Sequence, residues 1–154
     1  MDRSHAANPH VKLGHIYREQ KKWLLAEKHY NKAITITNGI PKREEDLAWY
    51  YLFLGHALSG RGIESGLDPD YEAAINSYQE SNRINCSGDT CLNLWANGVA
   101  LSGIGAIRYY QHRFAEAVTF FEQSLAAHRK AKKPDQEQIK IVTGNLMAAK
   151  GQLN

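Results

Sequence analysis

The chain carries 19 Lys and Arg against 16 Asp and Glu over 154 residues, a net charge of +3 with histidines neutral, and it is 43% hydrophobic and 23% charged. That balance is ordinary for a soluble protein, and the length suits one domain with a continuous core. The small charge gives no case for nucleic acid, no apolar run approaches a membrane span, and no signal peptide is visible, which leaves the cytoplasm as the default location.

In chain order, residues 1–7 are expected to be disordered or a remnant of expression, since Met1-Asp2-Arg3-Ser4-His5 reads as an arbitrary start. Asn8-Pro9 supplies an N-cap and a first helical residue, opening a helix over 8–20. Helices follow over 22–37, after which Ile40-Pro41-Lys42-Arg43 is a long link, and over 43–59. Gly60, Gly62 and Gly66 predict a loop, and Asp68-Pro69 repeats the capping device for a helix over 69–84. Further helices are expected over 89–112, 113–131 and 134–151, the last opened by Pro134. No stretch alternates strongly enough to predict a strand. Gly151 stands where a further helix would begin, yet the chain stops at Asn154. A piece of a longer array is therefore expected, with a capping helix as the alternative.

One four-point pattern recurs in the second helix of each pair: Trp23/Ala26/Tyr30/Ala33, Tyr71/Ala74/Tyr78/Ser81 and Phe114/Ala117/Phe121/Ser124. Spacings of three and four place the four side chains on one helix face, where a small residue admits a neighbouring helix and aromatics fill the flanks. Upstream stands a Gly with an apolar residue three positions on: Gly14/Tyr17, Gly55/Leu58 and Gly98/Leu101, with a partial fourth copy at Gly144/Met147. Leu13 and Leu54 precede the first two glycines. A period of this kind marks a repeat architecture of antiparallel helix pairs.

Leu13-Gly14-x-x-Tyr17 followed by Ala26, Tyr30 and Ala33 resembles the tetratricopeptide repeat signature, and the resemblance covers nearly the whole chain. It implies an all-α fold: a right-handed superhelical stack of antiparallel helix pairs, about seven helices in one domain over 8–154. The units lie near 8–37, 43–84 and 89–131, with a partial unit at 134–154. Two departures bear on the curvature. Gly to Ala spans twelve residues in the first copy but nineteen in the second and third. The places of the family's first-helix Trp hold His10, Tyr51, Leu94 and Lys140.

Catalytic and metal-binding patterns are missing, so neither enzymatic activity nor a metal or cofactor is expected. His5, His10, His15, His29, His56, His112 and His128 form no pair at the spacing of a helical metal site. Gly60-Arg61-Gly62 and Gly103-Ile104-Gly105 lack the third glycine of a dinucleotide loop and follow helices. Cys86 and Cys91 bracket a turn; a disulfide is sterically allowed, but two free thiols are the default. Asn85-Cys86-Ser87 matches a glycosylation acceptor. His128-Arg129-Lys130-Ala131-Lys132-Lys133 reads as a solvated helix end, with a docking patch for an acidic partner as the alternative.

The remaining functional candidate is surface. In such a stack the first helices line the concave face. The residues expected there are Val11, Lys12, His15 and Arg18 in the first copy, and Trp49, Leu52, Phe53 and His56 in the second. Leu92, Trp95, Ala96 and Val99 follow in the third, and Ile141 and Asn145 in the fourth. The family's Lys/Asn/Arg clamp for a terminal carboxylate is not carried over onto these positions. The expected surface is an apolar groove with anchors Trp49, Phe53 and Trp95 and a basic end at Lys12, His15 and Arg18; the same spacing also fits core packing. The function this implies is a protein-interaction scaffold holding a partner peptide or amphipathic helix. Self-association into a homo-oligomer, or recruitment within a larger enzyme, is the alternative.

Overall fold

The computed structural model describes residues 8–154; the expectation for residues 1–7 lies outside the described residues. Seven helices run in sequence: α1 Pro9–Glu19, α2 Trp23–Thr37, α3 Glu44–Ser65, α4 Asp68–Asn85, α5 Leu94–Tyr110, α6 Phe114–Lys130 and α7 Gln136–Gly151. Between α4 and α5 lies a short antiparallel ladder of β1 Cys86–Ser87 and β2 Thr90–Cys91. The fold is thus all-helical apart from this hairpin. Each helix packs on its neighbours in the chain, and α5 also touches α3, as α7 touches α5.

The four-point pattern is the core of each pair. Ala26, Tyr30, Ala33, Ala74, Tyr78, Ser81, Ala117, Phe121 and Ser124 are all buried. The two serines do more than stay small. Ser81 Oγ donates to the Ala48 carbonyl and Ser124 Oγ to the Gly98 carbonyl, both at 2.7 Å, tying each second helix to its partner's backbone. A single apolar cluster runs from Val11 to Ile107, and a second joins Ala117, Phe121 and Leu125 to Val142 and Ala149.

The glycines are seats for rings. A Cβ on Gly14 would lie 2.5 Å from Tyr30, and one on Gly55 would lie 2.7 Å from Tyr78. Gly60 and Gly62 are helical, not a loop: the first receives Trp23 of α2 and the second Tyr71 of α4. The helix runs on to Ser65 and ends only at Gly66, whose φ of +66° supplies the left-handed cap. The composition of 60–66 suggested a turn because glycine in a helix costs about 1 kcal/mol. Here close ring contact offsets that cost.

The third pair has a different register from the one its first glycine implies. Gly98 faces His128, and it is Gly105 that faces Phe121, with a Cβ-to-ring distance of 2.8 Å. Seven residues are about two helical turns, so the phase is kept while the partner slides. Gly105 to Ala117 then spans twelve residues, as Gly14 to Ala26 does. The two turns share one backbone. Lys21 and His112 both have positive φ (56° and 60°), and Lys22 and Arg113 each donate 2.8 Å back to a first-helix carbonyl. Only the second pair is lengthened at its tip.

Two other boundaries moved. α5 starts at Leu94 rather than 89, because 86–91 is taken up by the hairpin. Its cap is Asn93, whose side chain accepts from the Ala96 N–H. α7 is capped by Asp135, not opened by Pro134: its Oδ1 accepts from the N–H groups of Glu137 and Gln138.

Candidate functional site

Six side chains from three first helices meet in one open cleft: Arg18 of α1, Trp49, Leu52, Phe53 and His56 of α3, and Trp95 of α5. Trp49 and Phe53 lie one turn apart on α3. Their rings form a continuous series: Tyr30 to Phe53 at 6.0 Å between centroids, Phe53 to Trp49 at 5.8 Å, and Trp49 stacked on Trp95 at 5.5 Å. Trp49, Phe53 and Trp95 are half-buried, with one side packed on the core and the other facing the cleft. Trp95 is oriented by its indole N–H, which donates to Asp135 Oδ2 at 3.0 Å. The same carboxylate caps α7. The backbone N–H of Gln138 and then the Trp95 indole hold the Asp135 carboxyl below the usual range.

Under the cleft lie two equivalent polar pairs. His15 Nδ1 shares a hydrogen bond with the Tyr30 hydroxyl at 2.7 Å, and His56 Nδ1 with the Tyr78 hydroxyl at 2.9 Å. Each histidine follows its seat glycine directly. Burial, then the Arg18 charge, pushes both imidazoles down, His56 to about 4. Burial likewise pushes Tyr30 up to about 12 and raises Tyr78 further. Both pairs are therefore uncharged at neutral pH. His15 also meets Phe53 edge-on at 4.6 Å, supporting the cleft floor.

Other expected groove residues lie elsewhere. Val11 and Ala96 are core, and Leu52 reaches the cleft while only 1% exposed. The reason for Val11 and Leu52 is phase: each stands three residues before its seat glycine, so it shares the glycine's face. Lys12 is exposed on α1 but is not a lining residue, and Val99 is half-buried against the core. Leu92 is exposed before α5, Ile141 is exposed on α7, and Asn145 lines a separate depression beside Tyr109 and Ala148.

The cysteines are joined. Cys86 and Cys91 face each other across the hairpin and form a disulfide, which corrects the expectation of free thiols. Asn85 is no open acceptor for a glycan. It is buried, its amide donating to the Asn93 carbonyl and its Oδ1 accepting from the Asn93 N–H. His128 is not part of a solvated end: it is 1% exposed and fills the space above Gly98. Arg129 and Lys130 beyond it are exposed.

His10 and His29 stack at 5.4 Å with Nδ1 atoms 3.1 Å apart, a contact across α1 and α2 that separations along one helix could not show. Among the described residues no group of three or more His, Cys, Asp or Glu is placed to hold a metal ion, and no helix is long and apolar enough to cross a membrane. Sequence reasoning missed the Gly-His dipeptides at 14–15 and 55–56. It also missed the near-identical runs Gly55-His56-Ala57-Leu58-Ser59-Gly60-Arg61-Gly62 and Gly98-Val99-Ala100-Leu101-Ser102-Gly103-Ile104-Gly105. No protein-family model matches the chain, and no curated protein matches it.

Proposed function

We propose that the chain is a tetratricopeptide-like interaction module without catalytic activity, whose cleft across α1, α3 and α5 receives an apolar or amphipathic segment of a protein partner. In this reading the helix pairs form a right-handed superhelical stack, and the cleft lies on its concave face. The observation that carries the reading is the convergence of Trp49, Phe53 and Trp95 on the lining of one cleft, in a continuous series of rings. Rigid aromatics in such a place are strong anchors, because they bury much apolar area for little lost side-chain entropy.

The test is a random 12-residue peptide display selection, followed by affinity and melting measurements on Trp49→Ala and Trp95→Ala. Anchors in a binding cleft lose about 2 kcal/mol or more of peptide affinity with little change in stability. A loss of roughly 3–5 kcal/mol in stability with peptide affinity unchanged would mark them as core and end the reading.

Self-association is supported by a separate observation: α7 leaves Ile141 and Met147 exposed, the latter at 68%. Light scattering on the eluted protein, compared with Met147→Lys, tests it. A dimer that the substitution dissolves supports this reading, and a monomer in both cases removes it.

A further inference from the structure

We infer that the outer face of the α1/α2 pair docks on an anionic membrane surface, with its lysines at the lipid phosphates and its exposed leucine and isoleucine side chains among the headgroups. This goes beyond the interaction-module reading and uses none of the residues of the cleft.

Charge is unevenly distributed along the chain. Residues 8–43 hold eight Lys and Arg against two acids, a net +6, whereas residues 44–154 hold ten against thirteen, a net −3. The two acids of the first segment are turned elsewhere. Glu27 is bound to Arg61 of α3, and Glu19 stands one turn beyond His15, where its charge acts on His15 and Tyr30. Lys12, Lys21, Lys22, Lys28 and Lys32 are all exposed, and among the described residues none of them takes part in an ion pair.

The face itself follows from the phase of α2. Trp23 and Glu27 reach across to Gly60 and Arg61 of α3, while Ala26, Tyr30 and Ala33 are buried. Leu25, Lys28, Lys32 and Ile36, at spacings of three and four, therefore share the side turned away from α3, and all four are exposed. From α1, His10 lies beside Lys28, Lys32 and Ile36 in an open depression completed by Asn31 and Thr35, and no carboxylate lines it. His29, bonded to His10, is pushed down by burial and then by His10, Lys32 and Lys28, with no acid acting the other way.

Aliphatic side chains stand among these cations. Ile36 is 55% exposed, Leu24 on its flank 69%, and Leu13 and Ile16 of α1 are exposed as well. Unpaired lysines interleaved with exposed aliphatics are what a membrane-surface helix presents: ammonium groups meet phosphates while the aliphatics enter the interfacial layer. Each lysine near an anionic bilayer tightens binding about fivefold. A nucleic-acid strand fits less well, since leucine and isoleucine occupy the places where its bases would want rings to stack on. An acidic peptide asks for pockets of fixed shape, whereas a bilayer accepts aliphatic side chains at any spacing.

The test sediments the full chain with vesicles of phosphatidylcholine, alone or with about 30% phosphatidylserine, at about 0.15 M salt. The expected result is binding to the phosphatidylserine vesicles and none to phosphatidylcholine. Lys28→Gln with Lys32→Gln should weaken that binding about tenfold or more, and Ile36→Ser about threefold. Lys132→Gln with Lys133→Gln removes the same charge from exposed positions between α6 and α7 and should change nothing. Melting curves confirm that each variant is folded. Equal losses from the two lysine pairs would reduce the attraction to net charge and overturn the face. Absence of binding to either vesicle, or release by millimolar inorganic phosphate, overturns the membrane. Capture of polyglutamate through Lys28 and Lys32 without any vesicle binding would assign the face to an acidic protein instead.

Discussion

The N-terminal and C-terminal halves use the same glycine seat in different ways. In α1/α2 and α3/α4 the seat takes a tyrosine, and the histidine beside the glycine closes on the tyrosine hydroxyl. In α5/α6 the seat at Gly105 takes Phe121, and the next residue is Ala106, so ring and neighbour are both apolar. In α7 a Cβ on Gly144 would meet nothing within 4 Å. The polar version coincides with the cleft, since His56 lines it and His15 braces Phe53 from below. A plain ring in the seat is enough for helix packing, as the third pair shows. The histidine–tyrosine pairs do something more: they place hydrogen-bonded, uncharged groups beneath a cleft that Arg18 helps to line.

The largest expected effects come from emptying the seats. Tyr78 is gripped from both sides, by Gly55 of its own pair and Gly103 of the next. Tyr78→Ala should cost about 3–5 kcal/mol in urea unfolding, toward the upper end of that range. Phe121→Ala, which empties only the Gly105 seat, should lie lower in it. A cost for Tyr78→Ala below that of Phe121→Ala would break the view that Tyr78 joins two pairs.

Acid should separate the halves next. His56 sits at about 4 in the folded chain against a reference of 6.5. A histidine with a depressed folded pKa takes up its proton in the unfolded chain first. Its stabilisation is therefore complete above about pH 6.5 and is lost as pH falls toward 4, a span worth at most about 3 kcal/mol. His15 and His128 are shifted in the same direction by burial and add to the slope. Unfolding midpoints at pH 7 and pH 5 check this: His56→Phe should flatten part of the difference, and an unchanged slope would remove His56 as a buried neutral group.

What could be read from the residues alone follows from periodicity. The buried face of α2, α4 and α6 was legible because aromatic and small residues recur at spacings of three and four. The cleft was legible in part: Arg18, Trp49, Phe53, His56 and Trp95 were placed on one surface by counting from the glycines. Val11 was misplaced by the same counting, since a separation of three keeps a residue on the glycine's own face; Leu52 shares that face and is nearly fully buried, yet it still lines the cleft. The helical course of Gly60 and Gly62 was not legible, because the rings that justify those glycines, Trp23 and Tyr71, come from other helices. The slide of α6 by two turns was hidden for a related reason. A seven-residue shift leaves every face in phase, so only the choice of partner ring distinguishes the registers. The disulfide depends on the hairpin, and two paired residues per strand are too few to alternate.

Converting one version of the seat into the other sharpens the contrast at a smaller scale. Tyr78→Phe removes the hydroxyl and leaves His56 Nδ1 without its partner, at a cost of about 1–3 kcal/mol. Adding His56→Ala reproduces the Phe121/Ala106 arrangement of the third pair and should recover part of the loss. If the double variant is less stable than the single one by more than about 1 kcal/mol, the histidine packs the seat in its own right, and the hydrogen bond is secondary.

The smallest effect separates occupied seats from the open one. Gly144 lies inside α7 with space around its α-carbon, so Gly144→Ala adds a methyl group that meets no neighbour. Alanine exceeds glycine in helix propensity and has fewer unfolded conformations to lose, so the substitution should stabilise by about 0.5–1 kcal/mol. Gly14→Ala has the same propensity gain but drives its Cβ to within 2.5 Å of the Tyr30 ring. That ring is fully buried and bonded to His15, so it cannot swing aside without breaking the hydrogen bond. The expected outcome is opposite in sign: a raised melting temperature for Gly144→Ala and a lowered one for Gly14→Ala. A rise in both would mean that the α1/α2 seat yields to a methyl group, and that close ring contact is not what keeps glycine in the first helices.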